Sequence, residues 1–215
     1  MSLLVPALGS TFAVIVVKML FGGTGKNLVN PAVAGRVFLF MSFSSVVQGF
    51  VAPNIPALID LGEGYSLLDL LLGTGLSGCL GETCKLCLIV GGVYLVIRGV
   101  INWYYPLILI VLSGLTFSLY QWDITLFLPS ILSGGLIFGA IFMATDYTTT
   151  PNTTLGNIIY FAALGILTGL MRGIMQGEVL SYCILFMNLF VPLIDRYIYP
   201  KPFGYEKPKK EAANG

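Results

Sequence analysis

Seven stretches of almost unbroken apolar sequence, near residues 1 to 21, 32 to 53, 84 to 101, 106 to 122, 124 to 144, 157 to 175 and 179 to 199, govern what this chain can fold into. Each is close to the roughly 20 residues that a helix needs to cross the hydrocarbon core of a bilayer. In that medium every backbone N–H and C=O must find its partner inside the fold, so continuous runs of this length predict helices. A sheet barrel would instead show alternation, residue by residue. The remainder of the composition agrees, with 56% hydrophobic and 10% charged residues, against about 25% charged in a soluble domain. The predicted fold class is therefore all-α: a polytopic transmembrane helical bundle of six or seven spans. It forms a single domain over residues 1–200, with a polar tail at 201–215. The segment SLLDLLLGTGLSG, Ser66 to Gly78, is too short to cross and carries Asp69, which predicts a re-entrant or interfacial helix.

Several chemistries are excluded at once. The chain has no histidine, so it offers no His-ligated zinc, haem or Rieske centre and no imidazole base for a nucleophile. A net charge of +1 without a basic stripe points away from nucleic acid. The stretch FGGTGKNLVNPAVAGRVF, Phe21 to Phe38, resembles a phosphate-gripping loop, yet Leu20 and Asn27 stand where that pattern needs a glycine and a hydroxyl residue. Two readings of it remain. It is a tight connection, with Gly22, Gly23 and Gly25 at positive φ and Asn30-Pro31 opening the next helix, or a loop lining a ligand or a water-filled cavity.

Basic residues near span ends set orientation. Arg196 at the end of the last span and Lys201, Lys207, Lys209 and Lys210 after it place the C-terminus in the cytoplasm of a cell with this protein in its inner (plasma) membrane. Counting back puts the Arg98 turn, the TDYTTTPNTT loop and the Lys18/Lys26 loop inside, and Asp60, Glu63, Glu82 and Asp123 outside. Lys85 and Arg172 break the pattern. Each has an acidic neighbour in sequence, Glu82 and Glu178, so paired interfacial charges are expected there.

Ionisable groups inside a membrane are functional candidates. Arg36 lies one turn into its span and either snorkels to the interface or offers its planar fork to a phosphate or carboxylate. Asp146 opens DYTTTPNTT, whose hydroxyls and amides cap the next helix, or bind the edge of an isoalloxazine or a cation. Cys79, Cys84 and Cys87 follow C-x4-C-x2-C, the spacing of a plant-type two-iron cluster, with Cys183 distant. A disulfide and simple packing are the other readings, and no metal ligand set is assigned. The small-residue strings SGGLIFGA and GILTGLMRG predict close helix contact.

The strings GGTGKNLVNPAVAGRVFLFMSF, LLDLLLGTGLSGCLGET, LIVGGVYLVIRGVINWYYPL, FMATDYTTTP and DRYIYPKPFGY together resemble one family over about Pro6 to Tyr205. The chain is similar to the RnfD/NqrB membrane subunits of ion-translocating ferredoxin:NAD oxidoreductases and sodium-pumping quinone reductases. The resemblance implies a flavoprotein translocase subunit of an electron-transport complex, not an enzyme by itself, whose partners are the other subunits and the lipid bilayer. It also implies two inverted halves like those of urea transporters, with the first half incomplete here. The alternatives are a small-solute or ion channel or transporter, and a non-catalytic scaffold. Family members attach FMN to the Thr of an S-G-A-T-P motif. Aligning on Pro56 leaves Ile55 at that place, and without a hydroxyl no phosphoester forms, so FMN or riboflavin is expected to be held non-covalently. The expected cofactor-binding residues are Asn27, Asn30, Arg36, Asp146, Thr148 and Thr149, with no catalytic residue of the chain's own.

Overall fold

The computed structural model describes residues 3–23, 27–47, 67–72, 81–82, 84–175 and 179–198. Among these residues every regular element is a helix. The chain opens with α1 (Leu4–Met19), whose second half winds as a wider π-helix. A loop leads to α2 (Pro31–Ser42) and the short α3 (Ser44–Val47). After α4 (Leu67–Leu72) come α5 (Lys85–Ile97) and α6 (Tyr104–Tyr120). A bent pair follows, α7 (Ile124–Leu132) and α8 (Leu136–Met143), and the chain closes with α9 (Thr154–Ile174) and α10 (Leu180–Tyr197).

Seven apolar helical segments thus stand where seven spans are expected, and the chain is a polytopic helical membrane protein. By length and composition alone α9 and α10 suffice to cross a membrane, and α7 with α8 makes a third span if the bent pair counts as one. Four others, α1, α2, α5 and α6, are shorter apolar helices. Two expected spans are interrupted. The run at 32–53 leaves helical geometry at Phe43, with φ −131° and ψ 39°. The run at 124–144 bends by 68° between Leu132 and Leu136, where Gly134 adopts φ 62°. Only glycine takes that conformation without strain. The expected re-entrant segment is helical over Leu67–Leu72 and packs against α5 and α7.

Asp123 starts the bent pair as an N-cap. Its carboxylate accepts hydrogen bonds from the Thr125 hydroxyl (2.7 Å) and the Thr125 backbone N–H (2.9 Å). These bonds hold its carboxyl below the ordinary carboxylate range.

The core lies where α9 passes between α6 and α10, and Leu109, Tyr160, Phe161, Leu164 and Ile184 are fully buried there. Tyr105 stacks on Phe161 at 5.3 Å. The string GILTGLMRG explains the closeness of α6 and α9. A Cβ at Gly165 would sit 2.9 Å from the Leu109 carbonyl oxygen, and one at Gly169 would collide with Thr116. Small residues substitute for a hydrophobic driving force between membrane helices, because they let backbones approach.

Three segments of the basic and acidic pattern now have partners. Arg172 donates to the Ser130 carbonyl (2.8 Å), the Ser133 hydroxyl (2.7 Å) and the Ser133 carbonyl (3.4 Å), all at the bend between α7 and α8. Lys85 is buried and donates to the backbone carbonyls of Glu82 and of Gly134 (2.8 Å). The Glu82 carboxylate is held by Arg36 at 2.6 Å instead. Glu82 therefore reaches the second turn of α2, where an interfacial charge pair with Lys85 was expected. Lys26, Asp60, Glu63, Glu178, the Asp69 side chain and the 201–215 tail lie outside the described residues.

Replacing Gly165 with leucine forces extra volume against backbone atoms, which costs about 1–3 kcal/mol. Unfolding of the purified chain in mixed detergent micelles is expected to shift to lower denaturant by that amount, whereas leucine at the exposed Met175 position leaves it unchanged.

Candidate functional site at the polar junction

The site is built from two loops and the ends of four helices. After α1 the chain turns on Gly22 (φ 112°) and Gly23 (φ 82°), which fulfils the positive φ expected of both. Asn30 then starts α2. Its side-chain oxygen accepts from the N–H groups of Ala32 (3.0 Å) and Val33 (3.2 Å), and Pro31 occupies the first helical position, where the missing N–H costs nothing. With its oxygen committed to the cap, the Asn30 amide nitrogen is free to point away from α2. It donates to Asp146 Oδ2 at 3.1 Å, 116 positions further along the chain.

Asp146 organises the second loop. Its carboxylate accepts from the Thr148 backbone N–H (3.2 Å), the Thr148 hydroxyl (2.9 Å) and the Thr149 hydroxyl (3.3 Å). This is the turn chemistry that an Asp followed by hydroxyl residues favours. Thr148 also accepts a long hydrogen bond, 3.5 Å, from the Asn27 amide. Thr153 caps α9 through its hydroxyl, which accepts from Gly156 N–H at 3.0 Å. The loop is tied to the far end of α10 as well, where Asn152 donates from its backbone N–H (3.0 Å) and side chain (2.7 Å) to the two oxygens of Asp195. The glycine loop, the threonine loop and the end of α10 therefore share one side of the bundle.

Beneath these loops sits a second layer of polar groups. Asn188 of α10 and Tyr160 of α9 are both fully buried and meet at 2.7 Å. With both ends of its amide satisfied, Asn188 donates to the Tyr160 hydroxyl and the Ile184 carbonyl and accepts from the Asn30 backbone N–H at 3.1 Å. A lone amide in apolar helix is expensive unless it is paired, and this one ties α10 and α9 to the start of α2. Neither Asn188 nor Tyr160 was singled out from sequence. A single asparagine within an eighteen-residue apolar helix is the signal that marks the first of them.

Five of the six expected residues, Asn27, Asn30, Asp146, Thr148 and Thr149, meet at this junction. Arg36 does not join them, and it faces Glu82 and stacks over Phe40 with its guanidinium carbon 5.5 Å from the ring centre. The Oδ1 atom of Asn27 is buried and has no hydrogen-bond partner among the described residues. A buried acceptor without a donor carries a penalty of about 1–3 kcal/mol, so it marks where a ligand donor or a cation would be welcomed. The junction supplies one carboxylate, two hydroxyls and amide oxygen, a set of hard oxygen donors of the kind that suits a hard cation. Its mixture of donors and acceptors equally fits the polar edge of a flavin ring. The region of Ile55 and Pro56, where family attachment of FMN is expected, lies outside the described residues. So does Cys79, while Cys183 is buried in the core and Cys84 and Cys87 stand together at the start of α5.

The sequence profile of the NQR2, RnfD, RnfE family matches residues 1–204. Among curated proteins, the chain is 38% identical to one subunit of the Na(+)-translocating ferredoxin:NAD(+) oxidoreductase complex of Acetobacterium woodii, covering 95% of this chain and 68% of that protein. It is 34% identical to one subunit of the proton-translocating ferredoxin:NAD(+) oxidoreductase complex of Clostridium ljungdahlii, over 92% and 68% of the two chains. It is 32% identical to one subunit of the Na(+)-translocating NADH-quinone reductase of Ectopseudomonas mendocina, over 89% of this chain and 54% of that one. The chain thus spans about two thirds of the first two relatives and about half of the third.

Two substitutions separate the cap from the bridge. Asn30→Ala loses both and is expected to destabilise by about 1–2 kcal/mol. Asn30→Asp keeps the cap acceptor but sets a second carboxylate against Asp146, so its deficit should appear near neutral pH and shrink in acid, measured by unfolding across pH. Arg36→Ala leaves the Glu82 carboxylate buried without its partner guanidinium. With Arg36 partly exposed, the loss is expected at about 2–3 kcal/mol, and adding Glu82→Gln should restore part of it.

Proposed function

Since the chain belongs to the NQR2, RnfD, RnfE family, we propose that it is a membrane subunit of a redox-driven, ion-translocating oxidoreductase complex. It works with other subunits, in the plasma membrane, as one transmembrane domain with its polar tail in the cytoplasm. The observation that carries this reading is the junction itself. The two family-typical strings, around Asn30 and around Asp146, lie more than a hundred residues apart in sequence, and the Asn30–Asp146 bond joins them.

The junction's own residues suggest a division of labour. Asp146 places one negative charge at the meeting point of α2, α9 and α10, and its Thr148 and Thr149 hydroxyls hold the carboxylate in one orientation. Asn30 fixes the distance between the two loops, since its oxygen is locked to α2 and its nitrogen to Asp146. Asn27, whose amide nitrogen reaches Thr148, adds a buried acceptor. A cation moving through would meet oxygen ligands already ordered, so little reorganisation is needed at each step. A flavin held non-covalently beside them would supply one- and two-electron transfer, with Asn27 and Thr148 as the side chains facing its polar edge.

The test uses the complex purified from its native membrane and reconstituted in vesicles. Asp146→Asn keeps shape but removes charge-assisted hydrogen bonds worth about 1.5–3 kcal/mol each, so ion uptake driven by electron transfer is expected to fall about tenfold or more. Electron transfer itself should persist in the presence of an uncoupler. Uptake unchanged by the substitution would remove the junction from the ion path. Acid precipitation of the same complex is expected to release flavin from this chain to the supernatant, and an intact polypeptide carrying the mass of FMN would overturn the non-covalent assignment.

A further inference from the structure

Cysteine in a membrane helix is ordinarily a small buried hydrophobe, and Cys183 fits that description within the core. Cys84 and Cys87 do not. Cys84 is half-buried and Cys87 is exposed, on the face of α5 that also presents Val90 and Tyr94. The two thiols touch, with Sγ to Sγ at 3.3 Å. We propose that Cys84 and Cys87 form a reversible dithiol–disulfide couple at the N-terminus of α5.

The local geometry favours ring closure. Cys84 is the N-cap of α5, in extended conformation with φ −86° and ψ 98°. An N-cap side chain in that conformation leans over the first turn towards the third helical position, and here that position is Cys87. Closing the observed separation to a bonded distance of about 2.05 Å needs a movement of about 1.3 Å, within reach of rotation about the two side-chain bonds. The sequence Cys-Lys-Leu-Cys has the C-x-x-C spacing in which helix-start thiols exchange electrons.

The reaction is thiol–disulfide exchange with a disulfide of the surrounding thiol pool. One cysteine, as its thiolate after losing a proton, attacks the partner disulfide, forms a mixed disulfide and expels one partner thiolate. The second cysteine, deprotonated in turn, attacks the protein sulfur of that mixed disulfide and expels the other. The protein pair loses two electrons and two protons, and the partner disulfide gains both as two thiols. The bridge closes around Lys85, whose ammonium holds the carbonyls of Glu82 and Gly134. The redox state of the pair is therefore coupled mechanically to the bend between α7 and α8.

Lys85 also provides the readout, because cleavage after lysine and arginine separates the two cysteines. The fragment 86–98 carries Cys87 alone, and 37–85 carries Cys79 and Cys84. Membranes containing the full chain are equilibrated in mixtures of reduced and oxidised glutathione, quenched in acid, capped with maleimide, digested and weighed. The expected result is that the two fragments stay linked under oxidising conditions and part on addition of dithiothreitol. The ratio of linked to capped forms should change tenfold for each about 30 mV of applied potential, the two-electron slope. Linkage should survive Cys79→Ser and vanish in Cys84→Ser. Recovery of 86–98 only as its maleimide adduct, or only as its glutathione adduct, at every ratio would overturn the proposal. So would loss of the linkage in Cys79→Ser, which would make Cys79 the partner.

Discussion

A helix that breaks inside an apolar medium strands carbonyl and N–H groups that no water can reach, and each one left bare costs several kcal/mol. The structure is organised around its breaks and the side chains that answer them. At the bend between α7 and α8, the carbonyls of Ser130, Ser133 and Gly134 are met by Arg172 and Lys85. At the start of α2, the free N–H groups of Ala32 and Val33 go to Asn30, and that of Asn30 goes to Asn188. At the loop before α9, Asp146 and Thr153 take the N–H groups of Thr148 and Gly156. Each answer comes from a polar side chain that would be costly at that depth were it not so employed.

The two basic residues that run against the charge rule for orientation are both held at such a break. Lys85 and Arg172, which do not fit the orientation expected from flanking charge, serve backbone carbonyls at a bend. A topology rule based on flanking loops does not apply to a cation that caps a broken helix within the bundle. The Glu82 carboxylate, sequence neighbour of Lys85, is consequently released to Arg36. Charge pairing in this protein follows the three-dimensional location of the breaks, and proximity in sequence is a poor guide to it.

The polar junction and the bend are two polar centres among the described residues, and the tight α6–α9 contact lies between them. Gly165 and Gly169 let those two helices approach until backbone meets side chain, and between the centres Leu109, Phe117, Phe161 and Leu164 are buried together with the hydroxyl residues Ser113 and Thr168. α9 links the two centres, since it carries Tyr160 near the junction and Arg172 at the bend. A helix packed this closely shifts as a body, and local deformation is the costlier alternative.

Much of the architecture was legible from local information. Apolar runs mark helices because the medium leaves the backbone no alternative, Gly22 and Gly23 mark a turn because their φ is open to few other residues, and Asn30-Pro31 marks a helix start by its capping chemistry. Flanking charge put the two polar loops on one side, but that they line one site was implied only by resemblance, since no spacing in the chain connects Asn30 to Asp146. Tertiary structure alone decided that Arg36 turns to Glu82 rather than to the junction, and that Asn188 and Tyr160 underlie it. It alone placed a bend within the run at 124–144, and gave the two off-pattern cations its carbonyls to hold. The reason is physical. Periodicity and capping act over a few residues and are written locally, whereas the pairing of a buried polar group depends on which distant segment packing brings within about 3 Å of it.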